Sequence, residues 1–178
     1  MKAKLHGERT NDLPIEFLIQ IGRLITVFSC IEDDVRQITN TLLRLTPQEG
    51  RIAVRSPRIS DCFDMIESLL DLNAFSVTHD LKALRNELSE LEGARDWVAH
   101  GVWTRIQGEL HLVILSGVWQ PPGIKLPAGK KSIKRRIIPA AAPVTVDQLK
   151  GLADAGADLL PVVADVYRQL SEQQASLQ

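Results

Sequence analysis

The sequence is poor in aromatic residues and in cysteine. Phe, Trp and Tyr together make up 4% of the 178 residues, and two cysteines are present. With so few aromatic rings the core must be mainly aliphatic, which favours a helical bundle. Cys30 and Cys62 lie in apolar helical patterns with no CxxC motif and no histidine nearby. We therefore expect two buried free thiols, not a zinc site or a disulfide framework.

The chain also lacks a surplus of charge and a long apolar run. Its 21 basic and 22 acidic residues give a net charge of −1, so the overall charge argues neither for nor against a nucleic-acid partner. No apolar run approaches the roughly 18 residues of a membrane span, and the first 12 residues lack the apolar core of a signal peptide. We expect one globular domain over residues 1–178, located in the cytoplasm and not bound to a membrane.

A long helix is predicted near the start of the chain. Apolar residues recur at alternating spacings of four and three, which is one face of an α-helix. They are Phe17, Ile21, Leu24, Phe28, Ile31, Val35, Ile38 and Leu42. A second row is expected to widen this buried face: Ile15, Leu18 and Ile25. Asp12 and Pro14 predict the helix start, after an N-terminal arm of residues 1–12, and Thr46-Pro47 predicts its end.

Two more helices are predicted before residue 101. Residues 47–57 are interpreted as a loop, and a helix follows over about residues 59–72. The third helix starts after Ser76 or Thr78 and ends at His100-Gly101. A glycine there can adopt the left-handed conformation that closes a helix.

The periodicity then changes to that of β-strands. Val102–Gln107 and Leu110–Ser116 are strand-like runs with a Gly108-Glu109 turn between them, and Ile133–Ile138 is a candidate third strand. Trp103 and Trp119 are expected to pack this insertion, residues 102–140, onto the helices.

The last helix opens with a capping-box pattern at Thr145–Gln148. We expect a kink at Pro161 and fraying over residues 172–178. Together the patterns predict a mainly α domain. Its architecture is an up-down four-helix bundle with a small two- or three-stranded antiparallel insertion between the third and fourth helices.

Arg95 interrupts the apolar row of the third helix. Leu91 precedes it and Val98 follows it at helical spacing, so the position calls for another leucine. A guanidinium on a core-facing row costs several kcal/mol unless it is paired or opens onto a polar cleft. The alternative is that the row ends here and Arg95 extends into solvent.

His100 follows five residues later. Asp96 lies four residues before His100, on the same helical face, where its carboxylate can orient the imidazole. Arg95 and His100 are about 140° apart on an ideal helix. They can share a site only where the helix frays or where a second subunit completes it. Alternatively, His100 is simply a polar residue favoured by the helix dipole.

Residues 94–101, with the sequence ARDWVAHG, resemble the R-x-x-x-x-H signature of the HEPN superfamily in its R-N/D-x-x-A-H-G form. Glu32, midway along the long first helix, and the late position of the motif in the third helix extend the resemblance. It covers about 120 residues of the helical parts. It implies a helical bundle that acts as a dimer and needs no metal or cofactor.

The resemblance implies a metal-independent endoribonuclease, with a role as a toxin or defence component restrained by an antitoxin protein encoded elsewhere. Arg95 would hold the scissile phosphate, His100 would act as general acid or base, and Asp96 would orient the site. The alternative is a non-catalytic dimeric module that binds a nucleotide, a nucleic acid or a protein. The enzyme requires two Arg95 and two His100 side chains facing one open cleft, whereas the module does not.

A basic segment lies inside the predicted insertion. No acidic residue occurs between Leu110 and Val146, where the basic residues are Lys125, Lys130, Lys131, Lys134, Arg135 and Arg136. The last five are candidates for RNA phosphate contacts; the alternative is a solubilising loop that protects the sheet edges. Other polar groups have no predicted role: Glu90 and Glu92 are interpreted as solvated, and His6, His79 and His111 as surface or strand residues without partners.

Overall fold

The computed structural model describes residues 8–54, 58–114 and 140–176, with only the backbone of Ile114 and of residues 140–142. The helices are α1 (Ile15–Leu42), α2 (Pro47–Ala53), α3 (Ile59–Asn73), α4 (Leu81–His100) and α5 (Val146–Ala175). The strands are β1 (Glu8–Arg9), β2 (Val102–Ile106), β3 (Glu109–Ile114) and β4 (Ala140–Pro143). The predicted mainly α class is confirmed, and so is a small antiparallel sheet between the helices that correspond to the predicted third and fourth.

The long helix α1 contributes one whole face to the core. All members of the predicted apolar row are buried except Ile21, which is partly buried. The second row was expected to be buried too, but Ile15, Leu18 and Ile25 are exposed, because the described elements packed against α1 cover only the side that carries the first row. The helix also begins at Ile15 after Pro14, without the predicted side-chain cap from Asp12.

Residues 47–53 form a helix, so the prediction of a loop over 47–57 is wrong for this part. Thr46 donates its backbone N–H to the Glu49 carboxylate at 2.8 Å, and Glu49 returns its own N–H to the Thr46 hydroxyl at 3.3 Å. This is a capping box with a proline in the first turn, two helix-start signals that the sequence already contains. Hydrogen bonds that the Thr46 backbone N–H and the Thr46 hydroxyl donate to the Glu49 carboxylate lower the pKa of Glu49.

Gly101 ends α4 for a different reason from the one predicted. Its φ of −73° and ψ of 155° are extended, not left-handed. A Cβ at this position would lie 2.6 Å from Leu112 Cδ1 and 2.7 Å from the Trp97 carbonyl oxygen. Glycine is required here because β3 packs directly against the end of α4.

The strands form one antiparallel sheet in the order β1-β2-β3-β4. Ile106 pairs with Glu109, so the turn is Gln107-Gly108, one residue earlier than predicted, and both turn residues have positive φ. This conformation suits the twist of a two-residue hairpin. Part of the predicted N-terminal arm joins the sheet as β1, whereas the predicted strand Ile133–Ile138 lies outside the described residues.

Trp103 holds the sheet against the helices. Its ring meets Phe17 of α1 edge to face, with ring centroids 5.9 Å apart. The prediction that Trp103 packs the insertion onto the helices is thereby confirmed, and Trp119 lies outside the described part of the chain. The sheet therefore rests near the N-terminal end of α1, next to the C-terminal end of α4.

The C-terminal end of α5 is helical as far as Ala175, so the predicted fraying over residues 172–178 is wrong for residues 172–175. Gln173 accepts a hydrogen bond from the Ser76 N–H at 3.0 Å and donates one to the Ser76 carbonyl at 2.7 Å. Gln169 accepts a hydrogen bond from the Thr78 N–H at 3.0 Å and donates one to the Thr78 hydroxyl at 2.9 Å. These polar side chains fasten the connection between α3 and α4 to α5.

His79 extends this contact and has a partner that the sequence did not indicate. Its Nε2 atom lies 2.8 Å from Asp165 Oδ2. Hydrogen bonds from Arg168, His79 and Gln169 lower the pKa of Asp165 to about 2. His111 lies on β3, in keeping with its interpretation as a strand residue, and His6 is outside the described residues.

The two cysteines differ in their environment. Cys62 is buried as predicted, and its burial raises the pKa of the thiol to about 11. Cys30 is exposed, so its predicted burial is wrong. Both are free thiols, as expected.

Candidate functional site

Arg95 lies beside the buried row of α4, not in it. The row continues from Leu91 through Ala94 to Val98, and the side chain of Arg95 is 20% exposed. The expectation that Arg95 occupies a core position is therefore wrong by one residue: Ala94 occupies that position. The guanidinium carbon lies 4.4 Å from the centroid of the Phe28 ring, which is fully buried. One face of the cation is thus covered by an aromatic ring, a favourable arrangement.

Two carboxylates take up the terminal nitrogens of Arg95. Nη2 lies 2.6 Å from Glu32 Oε1, and Nη1 lies 2.9 Å from Asp96 Oδ1. The Arg95 Nε atom is buried, and no described residue accepts a hydrogen bond from it. Of the two sequence-based interpretations, pairing is the one observed. The pair with Glu32 ties α4 to α1 across 63 positions of sequence.

Glu92 adds a third carboxylate to this cluster, and the prediction that it is solvated is wrong. It is half-buried, and one of its oxygens lies 3.4 Å from the backbone N–H of Ile59, at the N-terminus of α3. Partial burial is the main cause that raises its pKa, and the charges of Asp96 and Glu32 raise it further. The Ile59 N–H bond and the Arg95 charge act in the opposite direction without cancelling the rise. With three carboxylates to one guanidinium, the cluster is negative when all of these groups are ionised.

The raised pKa of Glu92 predicts a pH-dependent effect of Glu92→Gln. The folded state holds the Glu92 proton more tightly than the unfolded state, so ionisation destabilises the wild type as the pH rises through the pKa of this group. Glutamine does not titrate and can still accept the Ile59 N–H bond. We expect the melting temperature of Glu92→Gln to exceed that of the wild type at pH 7, and the difference to shrink towards pH 4.

Melting curves of both proteins from pH 4 to pH 7 measure this difference. Glu90→Gln is the matched control, because Glu90 is exposed on the same helix. A melting temperature of Glu92→Gln at or below that of the wild type at pH 7 would contradict the argument.

His100 is exposed at the C-terminal end of α4. No described residue forms a hydrogen bond with its side chain, and the Asp96 carboxylate binds Arg95 instead. The expectation that Asp96 orients His100 is therefore not met. The imidazole lies about 140° around the helix from Arg95 and about 7.5 Å further along its axis. A single chain does not bring the two side chains together.

Some predicted features lie outside this cluster. The candidate phosphate contacts Lys130, Lys131, Lys134, Arg135 and Arg136, like Lys125, belong to residues that the structure does not describe. Residues 8–54, 58–114 and 140–176 contain no group of three or more side chains placed to hold a metal ion. Within the same ranges, none of the helices has the length and apolar character needed to cross a bilayer.

Comparisons with known proteins add no assignment. The chain matches no protein-family model, and neither a curated protein nor a solved structure matches it. The arguments about function therefore start from the residues themselves.

Two residues of the Arg95 cluster were not predicted from the sequence to belong to it. Phe28 was predicted as a core residue and Glu92 as a solvated one, and neither was connected with Arg95. A signal for Phe28 was present, because Phe28 and Glu32 are four residues apart and share one side of α1. That spacing can present a ring face and a carboxylate to one cation. Nothing in the sequence pairs Glu92 with the start of α3.

The three carboxylates of the cluster are suited to binding the Arg95 guanidinium, and they make the cluster poorly suited to binding a phosphate. The Arg95 guanidinium already has a carboxylate at each terminal nitrogen and a ring against one face. A phosphate would have to displace at least one carboxylate and would meet the negative charge of the others. The arrangement favours a structural ion-pair network.

Proposed function

We propose that this protein is a non-catalytic HEPN-like binding module that acts as a homodimer and recognises a protein partner. The observation that carries the proposal is the engagement of Arg95 by Glu32 and Asp96, with His100 apart from it. Ion pairing of this kind is typical of a residue that holds two helices together. The surplus of carboxylates favours a protein partner over RNA.

The packing supports a four-helix bundle as part of this proposal. It does not favour the up-down order, which would make the first and third helices parallel. Arg95 pairs with Glu32, and Trp103 just after α4 meets Phe17, so α1 and α4 run antiparallel. Helices α1, α3, α4 and α5 all contribute buried residues to one apolar core. The pair of Glu32 with Arg95 then joins α1 and α4, the first and third helices of that bundle, at the position of the R-x-x-x-x-H motif. In this proposal the motif stabilises the fold.

The ribonuclease is the second candidate, and one observation favours it. His100 is exposed and without a hydrogen-bonding partner among the described residues, as a general acid or base waiting for a substrate would be. In a dimer, Arg95 of one copy and His100 of the other could border one groove. This candidate requires RNA to displace a carboxylate from Arg95.

Incubation of purified protein with total RNA in EDTA distinguishes the two candidates. For the binding module we expect no cleavage. We also expect His100→Ala to melt like the wild type, because the His100 side chain is exposed and forms no hydrogen bond with a described residue. For the ribonuclease, His100→Ala would lower a measurable cleavage rate by about 10²–10⁴-fold.

The control for a contaminating nuclease is His79→Ala, prepared in the same way, since His79 belongs to a different part of the surface. RNA cleavage that disappears in His100→Ala and persists in His79→Ala would overturn the proposal of a non-catalytic module.

A further inference from the structure

The outer face of α1 carries an apolar strip that no other described element covers. Ile15, Leu18, Ile19 and Ile25 are 63%, 48%, 51% and 38% exposed. Gly22 lies between them, and a Cβ built there would have no atom within 4 Å. We call the following residues the outer strip: Ile15, Leu18, Ile19, Gly22, Ile25, Thr26 and Ser29. On an ideal helix they fall within a sector of about 120° and span about 22 Å.

The outer strip has the composition of a helix–helix contact. Single exposed apolar residues are ordinary, but four large ones on one helix face are characteristic of an interaction site. None of the seven residues is charged, so a strongly acidic or basic partner would find no opposite charge within it. Glycine at the centre allows the backbone of a second helix to approach closely.

We infer that the outer strip binds a second copy of this chain, with the two α1 helices antiparallel and crossing near Gly22. Asp33 favours the antiparallel direction. It continues the line of the strip, and its carboxylate is 62% exposed even though Arg36 Nη1 lies 3.5 Å from its Oδ1 atom. A parallel pair would place the two Asp33 carboxylates side by side, whereas the antiparallel pair separates them. Antiparallel helix dipoles also attract each other. A strip of this size is at the small end of specific interfaces, so the dimer is expected to dissociate in the micromolar range.

This surface leads directly to the Arg95 cluster. Ile25 lies at one edge of the strip, and Glu32 follows it by seven residues, which places Glu32 about 20° beyond that edge and about 10 Å further along the helix. The pair of Glu32 with Arg95 therefore lies at the flank of the outer strip, on the side of α4. A two-fold axis that lies in the interface and is perpendicular to the helices puts both α4 helices on this same side. The two clusters and the two His100 side chains then border one groove.

The inference rests on the dimer in the proposed function and names its surface. Gly22→Arg is the decisive variant, because a Cβ added at Gly22 has no atom within 4 Å, so we expect the variant to fold and its long charged side chain to obstruct a partner. Gly151→Arg is its matched control, since a Cβ at Gly151 on α5 also has no atom within 4 Å. Sedimentation equilibrium or light scattering is recorded from the low micromolar range to about 200 µM.

We expect the average mass of the wild type and of Gly151→Arg to rise with concentration from 19.8 kDa towards twice that value. Gly22→Arg is expected to stay at 19.8 kDa throughout. Ile19→Asp provides a second disruption of the strip, and melting curves verify that each variant is folded. A wild type that remains monomeric would overturn the inference, and so would a dimer that both strip variants retain.

A wild type that remains monomeric would overturn the homodimer of the proposed function together with the inference, whereas the other outcomes separate the two. A dimer that persists in both strip variants leaves the dimeric module in place and shows that another surface forms it. Cleavage of RNA by the wild type would overturn the non-catalytic proposal, whichever surface forms the dimer.

Discussion

Replacing Phe28 by alanine is expected to lower the free energy of unfolding by about 3–5 kcal/mol, as is usual for removing a buried aromatic ring. Phe28 is fully buried in the face of α1 that joins the core. Its ring also supports the Arg95 guanidinium at 4.4 Å. The substitution therefore leaves a cavity and removes the apolar platform of a half-buried cation. For a protein of this length the melting temperature should fall by on the order of 10 °C.

Two matched variants separate these contributions. Phe28→Leu keeps most of the apolar volume and removes the ring, so we expect a loss of about 1.5 kcal/mol or less. Leu72→Ala changes a side chain that is 80% exposed, and surface changes of this kind stay within about 0.5 kcal/mol. Chemical denaturation measures all three. A loss below 1.5 kcal/mol for Phe28→Ala would mean that the ring is not part of a packed core.

Removal of the Arg95 side chain should produce the second large effect. Arg95→Ala leaves the carboxylates of Glu32, Asp96 and Glu92 close together without their cation. Breaking a buried pair typically costs 3–5 kcal/mol. Because Glu32 and Asp96 remain partly exposed to solvent, we expect about 2–3 kcal/mol here. The loss should be smaller in the Glu32→Gln background, since one repelling charge is then absent.

Arg85→Ala is the control on the same helix. Arg85 pairs with Asp64 at 2.6 Å, the same distance that separates Arg95 from Glu32. The Asp64 carboxylate is 60% exposed, so this pair should contribute less than about 1 kcal/mol. The comparison uses unfolding curves of the wild type and four variants: Arg85→Ala, Arg95→Ala, Glu32→Gln and the double variant with both Arg95→Ala and Glu32→Gln. Equal losses for Arg85→Ala and Arg95→Ala would show that the Arg95 cluster adds nothing beyond a surface ion pair.

Much of the fold follows from patterns that lie within short stretches of the chain. The alternating apolar row predicted α1 because residues three and four apart share one helix face, whatever else the helix touches. The capping box at Thr145–Gln148 predicted the start of α5 for a similarly local reason, since both hydrogen bonds join residues three apart. The same logic applied to Thr46 and Glu49, where the sequence signal was present but was not used to predict α2.

Contacts between distant residues decided the rest. The second row of α1 (Ile15, Leu18 and Ile25) is as apolar as a core row, and its exposure depends on which elements pack against the helix. Glycine at position 101 suits a left-handed helix end by residue type alone, yet the observed reason is the close approach of Leu112 from β3.

The candidate site divides in the same way. The expected apolar row of the third helix drew attention to Arg95 from the sequence, although the structure places Arg95 beside that row. The spacing of the motif placed His100 about 140° away. Phe28 and Glu32 reach Arg95 only because α1 and α4 pack together, and Glu32 is 63 positions away in the chain. Glu92 is a neighbour of Arg95 on α4 itself, and packing supplies only its contact with Ile59 of α3. Helical periodicity is a property of neighbouring residues and can be read along the chain. The partner of a charged side chain depends on the packing of whole helices, so it emerges only when the chain has folded.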